Sequence, residues 1–136
     1  MVSDLPEKHI VTCFLECGNR ILILRRSGLV GSFQGRWAGV SGYIETTADK
    51  QALVEMEEET GLRWGDVELV KKGSPLKVEG EGVRWVVYPF LFQIKDRGKI
   101  RIDWEHDELK WISPGELDDY QTVPMLKEAL AQVHQM

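Results

Sequence analysis

Apolar positions in this chain come in short runs separated by glycine- and serine-rich breaks, a pattern of several strands and few helices. Residues 9–16 (His-Ile-Val-Thr-Cys-Phe-Leu-Glu) predict a strand, Gly18-Asn19 a turn, and Arg20 to Arg25 a returning strand. Residues 27–35 read as a Ser/Gly-rich loop, and residues 37–45 as a strand with a glycine turn. Val67 to Val78 reads as a strand pair or one strand broken near Gly73-Ser74-Pro75. Gly80-Glu81-Gly82 is a turn. Val83 to Ile94 is the most strand-like stretch, and Pro89 inside it suggests an edge or a bulge. Ile100 to Ile102 is short and extended, and Leu109 to Ile112 looks like the last strand. Pro114 to Leu117 opens a short helix, and Val123 to His134 forms a C-terminal one.

The one other helical pattern, residues 47–60, carries the most chemistry. Ala52, Leu53 and Met56 form a stripe that docks the helix on a sheet. Thr46 suits the N-cap, with Asp49 three residues on, and Gly61 suits the C′ position. Beside the apolar stripe stand Glu55, Glu58 and Glu59, within about 100° of helical arc. Like charges at this spacing repel. A solvated acidic face is the plain interpretation. A hard divalent cation held by oxygens, bringing phosphate oxygens with it, is the alternative. Glu57 points away into solvent. Just upstream, Gly35-Arg36-Trp37-Ala38-Gly39-Val40-Ser41-Gly42-Tyr43-Ile44-Glu45 delivers the chain to the helix. Its glycines let backbone approach a ligand, so the carbonyls of Ser41-Gly42 are candidate neutral ligands to the same cation.

The segment Gly42 to Leu62 resembles the Nudix box, the signature of the Nudix hydrolases. That signature runs Gly, five residues, Glu, seven residues, then Arg-Glu-apolar-x-Glu-Glu-x-Gly-apolar. Its second half is matched by Glu55-Met56-Glu57-Glu58-Glu59-Thr60-Gly61-Leu62. Arg36-Trp37 before the box and Trp111 to Leu117 after it also fit. There are two departures. Val54 stands where the signature has its Arg, which in the family pairs with the helix carboxylates and orients them. The spacing from Gly42 to Glu55 is two residues short, leaving Glu45 or Asp49 near the place of the loop Glu. The resemblance implies an α/β/α sandwich with a mixed β-sheet, one domain over residues 1–136. It implies Mg²⁺, or Mn²⁺, on Glu55, Glu58, Glu59 and the Gly42 backbone. It places a phosphate-binding Arg at the end of the second strand, matched best by Arg26, and a base or further metal ligand in the late loop, Glu105 first and Glu108 second. Homodimers are frequent in the family.

Composition narrows the picture. Charged residues are 29% and hydrophobic ones 43%, ordinary for a globular chain. A net charge of −5 argues against a general nucleic-acid surface, so a phosphate substrate must be met by local Arg, Lys or metal. No apolar run is long enough to span a membrane, and residues 1–6 lack the features of a signal peptide. Cys13 and Cys17 lie roughly 13 Å apart along a strand, too far for a disulfide. They read as reduced thiols of a cytoplasmic protein. His106 is a runner-up base beside its plainer reading as an exposed loop histidine. Trp85 and Trp111 read as core, and Trp37 and Trp104 as core or as pocket-flanking rings for a nucleobase.

Together these readings point to Mg²⁺-dependent cleavage of the pyrophosphate bond of a nucleoside diphosphate linked to a group X. The metal sits on the three glutamates, Glu58 or Glu105 takes the proton, and Arg26 and Arg36 offset phosphate charge. Two other readings stand beside it: a Nudix-fold binding or regulatory module without turnover, and an isoprenoid-diphosphate isomerase. The lack of a catalytic Cys in a pocket-forming position weighs against the isomerase.

Overall fold

A computed structural model describes residues 5–134. Strands β1 (Glu7–Cys17) and β2 (Arg20–Arg26) form a hairpin about Gly18, whose positive φ of 63° suits the turn. Two short strands follow, β3 (Trp37–Ala38) and β4 (Val40–Tyr43), then helix α1 (Ala48–Thr60). Strands β5 (Val67–Lys72), β6 (Leu76–Gly80), β7 (Val83–Ile94) and β8 (His106–Ile112) come next, then a 3-10 turn at Pro114–Asp119 and helix α2 (Leu126–Val133).

All eight strands join one mixed sheet. Its spine is β1 parallel to β7, from Glu7 opposite Arg84 to Glu16 opposite Gln93. The other edge of β1 is shared: Ile10 to Cys13 pair with β4, and only Glu16 and Cys17 pair with β2. Strand β2 then diverges to pair with β8 and β3. Gly39 makes the close fit of β4 to β1 possible, because a Cβ there would lie 2.8 Å from the Cys13 carbonyl oxygen.

Period-two alternation gives each face its own core. Phe14, Ile21, Ile23, Trp85, Val87 and Leu91 face α2, and meet Leu126, Ala129, Leu130 and Val133. Val11, Cys13, Leu15, Leu22, Leu24, Phe90 and Phe92 face α1, and meet Ala52 and Met56. Because β7 is covered on both faces, its sequence reads as a nearly unbroken apolar run. The architecture is the expected α/β/α sandwich around a mixed sheet.

Several boundaries differ from the sequence expectation. Helix α1 is capped by Thr47, not Thr46: the Thr47 hydroxyl accepts from the Lys50 N–H at 3.2 Å, and Asp49 pairs with Lys72 instead. Gly61 does close the helix, at φ 78°, its N–H donating to the Glu57 carbonyl. Pro89 lies at neither an edge nor a bulge. It sits inside β7 where the antiparallel partner changes from β6 to β5, so its missing N–H interrupts no ladder. Strand β8 starts at His106 rather than Leu109. Helix α2 starts at Leu126 rather than Val123, because Val123 precedes a proline and its N–H is held extended by the Trp37 carbonyl.

Met56 is 1% exposed and fixes α1 to the sheet, whereas Val54 on the same helix is 45% exposed. Met56→Ala is expected to cost about 2–5 kcal/mol in urea denaturation. Val54→Ala should change stability by less than about 0.5 kcal/mol.

Candidate functional site

Helix α1 carries Gln51, Glu55 and Glu59 at i, i+4 and i+8, so all three lie on one stripe beside the docking residues. Docking therefore pulls charge inward. Glu59 is 1% exposed, Glu55 is half-buried, and Glu57 and Glu58 remain exposed. Glu59 Oε1 faces the Ser41 N–H at 3.4 Å, while its Oε2 is buried without any partner. Gly42 lies directly under Glu55, since a Cβ there would stand 1.9 Å from Glu55 Oε1. The turn before β8 brings Asp103 and Glu105 to the same place.

Crowding of acids shows in their proton affinities. Burial, then the charge of Glu58, pushes the Glu55 carboxyl up to about 7, against hydrogen bonds from Glu59 and Gln51. Glu59 is held well above the usual carboxylate range by burial, then by Glu105 and Glu55. Burial and then Asp103 raise Glu105, while the nearby Arg26 guanidinium pulls it down. Beneath the cluster, burial and then Glu59 and Glu55 keep the Cys13 thiol protonated. Both Cys13 and Cys17 are free thiols.

His106 is not the exposed loop histidine that the sequence suggests. It is 5% exposed, opens β8, and sits opposite Arg26 in the sheet. Its Nδ1 lies 3.3 Å from Asp103 Oδ1, and its Nε2 lies 3.5 Å from Glu59 Oε1 without hydrogen-bond geometry. A carboxylate only accepts, so Nδ1 carries the proton in this arrangement. Burial holds the ring below its ordinary pKa despite Asp103.

The cluster borders a cavity of about 320 Å³. Arg26, Ser41, Gly42, Glu55 and Glu105 form the polar part of its wall. Arg26 is aimed by its own loop, with Nε donating to the Ser32 carbonyl at 2.9 Å. Phe33, Tyr43, Trp85, Val87 and Leu126 supply much of the apolar part. The Trp85 ring packs against Tyr43 at 6.2 Å and Phe33 at 5.9 Å, and its Nε1 donates to the Gly80 carbonyl. Trp104 lines the same cavity and is 62% exposed.

The structure thus gathers Glu55, Glu59, Glu105, Gly42 and Arg26. Glu58 is exposed and off the cavity wall, acting on the cluster through its charge. Two expected substrate contacts lie elsewhere. Trp37 is 8% exposed, packed edge-on against Tyr120 in the α2-side core, because its pairing with β2 turns the ring inward. Arg36 is exposed and donates to the Thr122 carbonyl at 3.1 Å. Glu108 pairs with Arg25 at the surface. Asp103, Gln51 and the ring wall of Phe33, Tyr43 and Trp85 escaped sequence reasoning. For Gln51 the signal was present, in its spacing of four residues from Glu55.

Among the described residues, no three His, Cys, Asp or Glu groups already stand at metal-enclosing distances. The donor chemistry nonetheless fits a hard divalent cation. The groups are carboxylate oxygens close to the Gly42 backbone, one buried oxygen lacks a partner, and no Lys or Arg among the described residues pairs with Glu55, Glu58 or Glu59.

Comparison with known proteins agrees with this fold. A C. elegans Ap4A hydrolase, solved as a binary complex, superposes with a TM-score of 0.78 at 14% identity, covering 92% of this chain and 93% of that one. A MutT protein from Methanosarcina mazei Go1 gives 0.75 at 18% identity, covering 96% and 94%. The NUDIX domain of Shewanella oneidensis NrtR, complexed with ADP ribose, gives 0.73 at 14% identity, covering 93% and 85%. No curated protein matches the sequence itself. The family model of the NUDIX domain matches residues 7–133, and the chain belongs to that family.

Proposed function

We propose that this protein is a pyrophosphohydrolase acting on a nucleoside diphosphate linked to a group X, with Mg²⁺ as cofactor and Mn²⁺ as an alternative. The observation that carries the proposal is Glu59: a carboxyl buried among other acids, one oxygen unpartnered, and within reach of the charges of Glu55 and Glu105, which line a cavity that also holds Arg26. Glu55, Glu59 and the Gly42 backbone, with Glu58 at the rim, would hold the cation. When bound, it would polarise the diphosphate and lower the pKa of the attacking water. Water adds to one phosphorus, the bridging P–O bond breaks, and Glu105 accepts the water's proton. Its raised proton affinity suits that task. Arg26 offsets charge on the phosphates, and the ring wall takes a flat base. The free thiols fit a reducing, cytoplasmic setting. No helix among the described residues is long and apolar enough to cross a membrane.

Binding without turnover is the second reading, favoured by Val54, an exposed apolar side chain where the box has its orienting Arg. Cys13, buried on the α1 side and off the cavity wall, supports no isomerase chemistry.

A panel of ADP-ribose, dinucleoside polyphosphates, nucleotide sugars and dNTPs with Mg²⁺ should give at least one cleaved compound, followed by product release. Glu59→Gln and Glu105→Gln should each lower that turnover by roughly 10²–10⁴-fold. Tight binding with no product from any compound would replace hydrolysis with the second reading.

Stability of the metal-free protein should also report the cluster. A carboxyl whose folded pKa is raised favours folding below its unfolded pKa, and that contribution is lost as pH rises through the folded value. For Glu55 the window runs from its ordinary 4.5 to about 7. Without metal, the Tm of Glu55→Gln relative to wild type should therefore climb between pH 5 and 8 in calorimetry. Mg²⁺ should raise the wild-type Tm more at pH 8 than at pH 5.5.

A further inference from the structure

Gln51 is a polar side chain at 7% exposure, on the stripe that carries Glu55 and Glu59. Its Oε1 accepts the Glu45 N–H at 3.1 Å, and its Nε2 donates to Glu55 Oε1 at 3.3 Å. A backbone N–H can only donate, so the amide's orientation is fixed: oxygen toward the loop, NH₂ toward the carboxylate. Glu55 is thereby bracketed by the Gln51 amide on one side and the Gly42 backbone on the other.

The shortened connection meets this side chain directly. Glu45 lies in the connection between β4 and α1, where the chain is two residues short of the signature. Val54 holds the place of the orienting Arg. Among the described residues no Lys or Arg pairs with Glu55. The amide reaches across the shortened loop and supplies the donor that a guanidinium would otherwise give.

We infer that Gln51 is a positioning residue that sets Glu55 for cation binding in place of the missing box Arg. The inference rests on reading Glu55 as a metal ligand, but not on turnover. A merely structural role would make Gln51 a staple between loop and helix. Gln51→Glu separates the two, because a carboxylate still accepts the Glu45 N–H while losing the donor to Glu55 and adding repulsion.

The experiment is Mn²⁺ titration followed by electron paramagnetic resonance of the free ion, with Tm measured on each metal-free protein. Wild type should bind Mn²⁺. Gln51→Leu and Gln51→Glu should each bind it about 10–100-fold more weakly, as expected when a partner that orients a ligand is lost. Val54→Arg added to Gln51→Leu should recover at least a tenfold share of that loss. If Gln51→Leu fails to fold, the comparison of Gln51→Glu with wild type decides the question. Wild-type Mn²⁺ affinity in Gln51→Glu would overturn the inference, as would absence of Mn²⁺ binding by the wild type. Mn²⁺ binding that responds to Gln51 while the substrate panel stays uncleaved would sink the hydrolase reading and leave this one standing.

Discussion

Glu59 places an ionisable group where 1% of it meets solvent and gives one of its oxygens nothing to bond. Taking a charge out of water costs several kcal/mol even after the protein relaxes. In the metal-free protein that cost raises the Glu59 proton affinity well above the usual carboxylate range. The result is a folded state that stores proton affinity at the point where positive charge is wanted. Everything nearby follows the same constraint. Glu55 is raised, Glu105 is raised, His106 stays neutral, and the Cys13 thiol stays protonated. On the proposed function, a divalent cation would take the place of those protons and offset the repulsion among the carboxylates.

Such a cluster exists only because apolar packing overrides it. Ala52 and Met56 seat α1 on the sheet, Thr47 and Gly61 end it cleanly, and Glu59 is carried inward by geometry rather than by its own preference. The sheet contributes by dividing one edge of β1. Its early residues hold β4, with Ser41 and Gly42, while its last two turn into β2 and so bring Arg26 and the β8 turn alongside. The acids come from two distant segments, and the β2–β8 ladder, with its irregularity at Arg25/Arg26, brings the second to the first. Buried charge is thus concentrated in a few side chains held by a well-packed remainder.

What the sequence made legible was local. Short apolar runs announced β1, β2 and β7, Gly61 announced the end of α1, and the spacing of Glu55, Glu58 and Glu59 announced a charged face. Burial was harder to see. Trp104 to Glu108 reads as an acidic loop, yet pairing with β2 turns His106 inward beneath Glu59. Trp37 reads either as core or as a pocket-flanking ring, and two residues of β3 pairing settle it into the core, while Trp85 from β7 faces the cavity. Both outcomes have one cause: long-range strand pairing decides which way a side chain faces, and single-sequence spacing carries no information about the partner strand.

Arg26 is the sole Lys or Arg among the residues lining the cavity, against Glu55 and Glu105 on the same wall. The whole chain carries −5. A diphosphate entering this wall meets more negative charge than positive, so the protein alone repels the anion it is proposed to cleave. On the proposed function, a divalent cation held by the glutamates would place two positive charges on the same wall and offset that excess. Cation and diphosphate then each improve the site for the other, and linkage requires the two effects to be equal in free energy. Under that reading the acidic cluster would take part in substrate recognition as well as in chemistry: the apolar ring wall would meet the organic part, and the phosphates would depend on Arg26 together with the cation that the carboxylates hold.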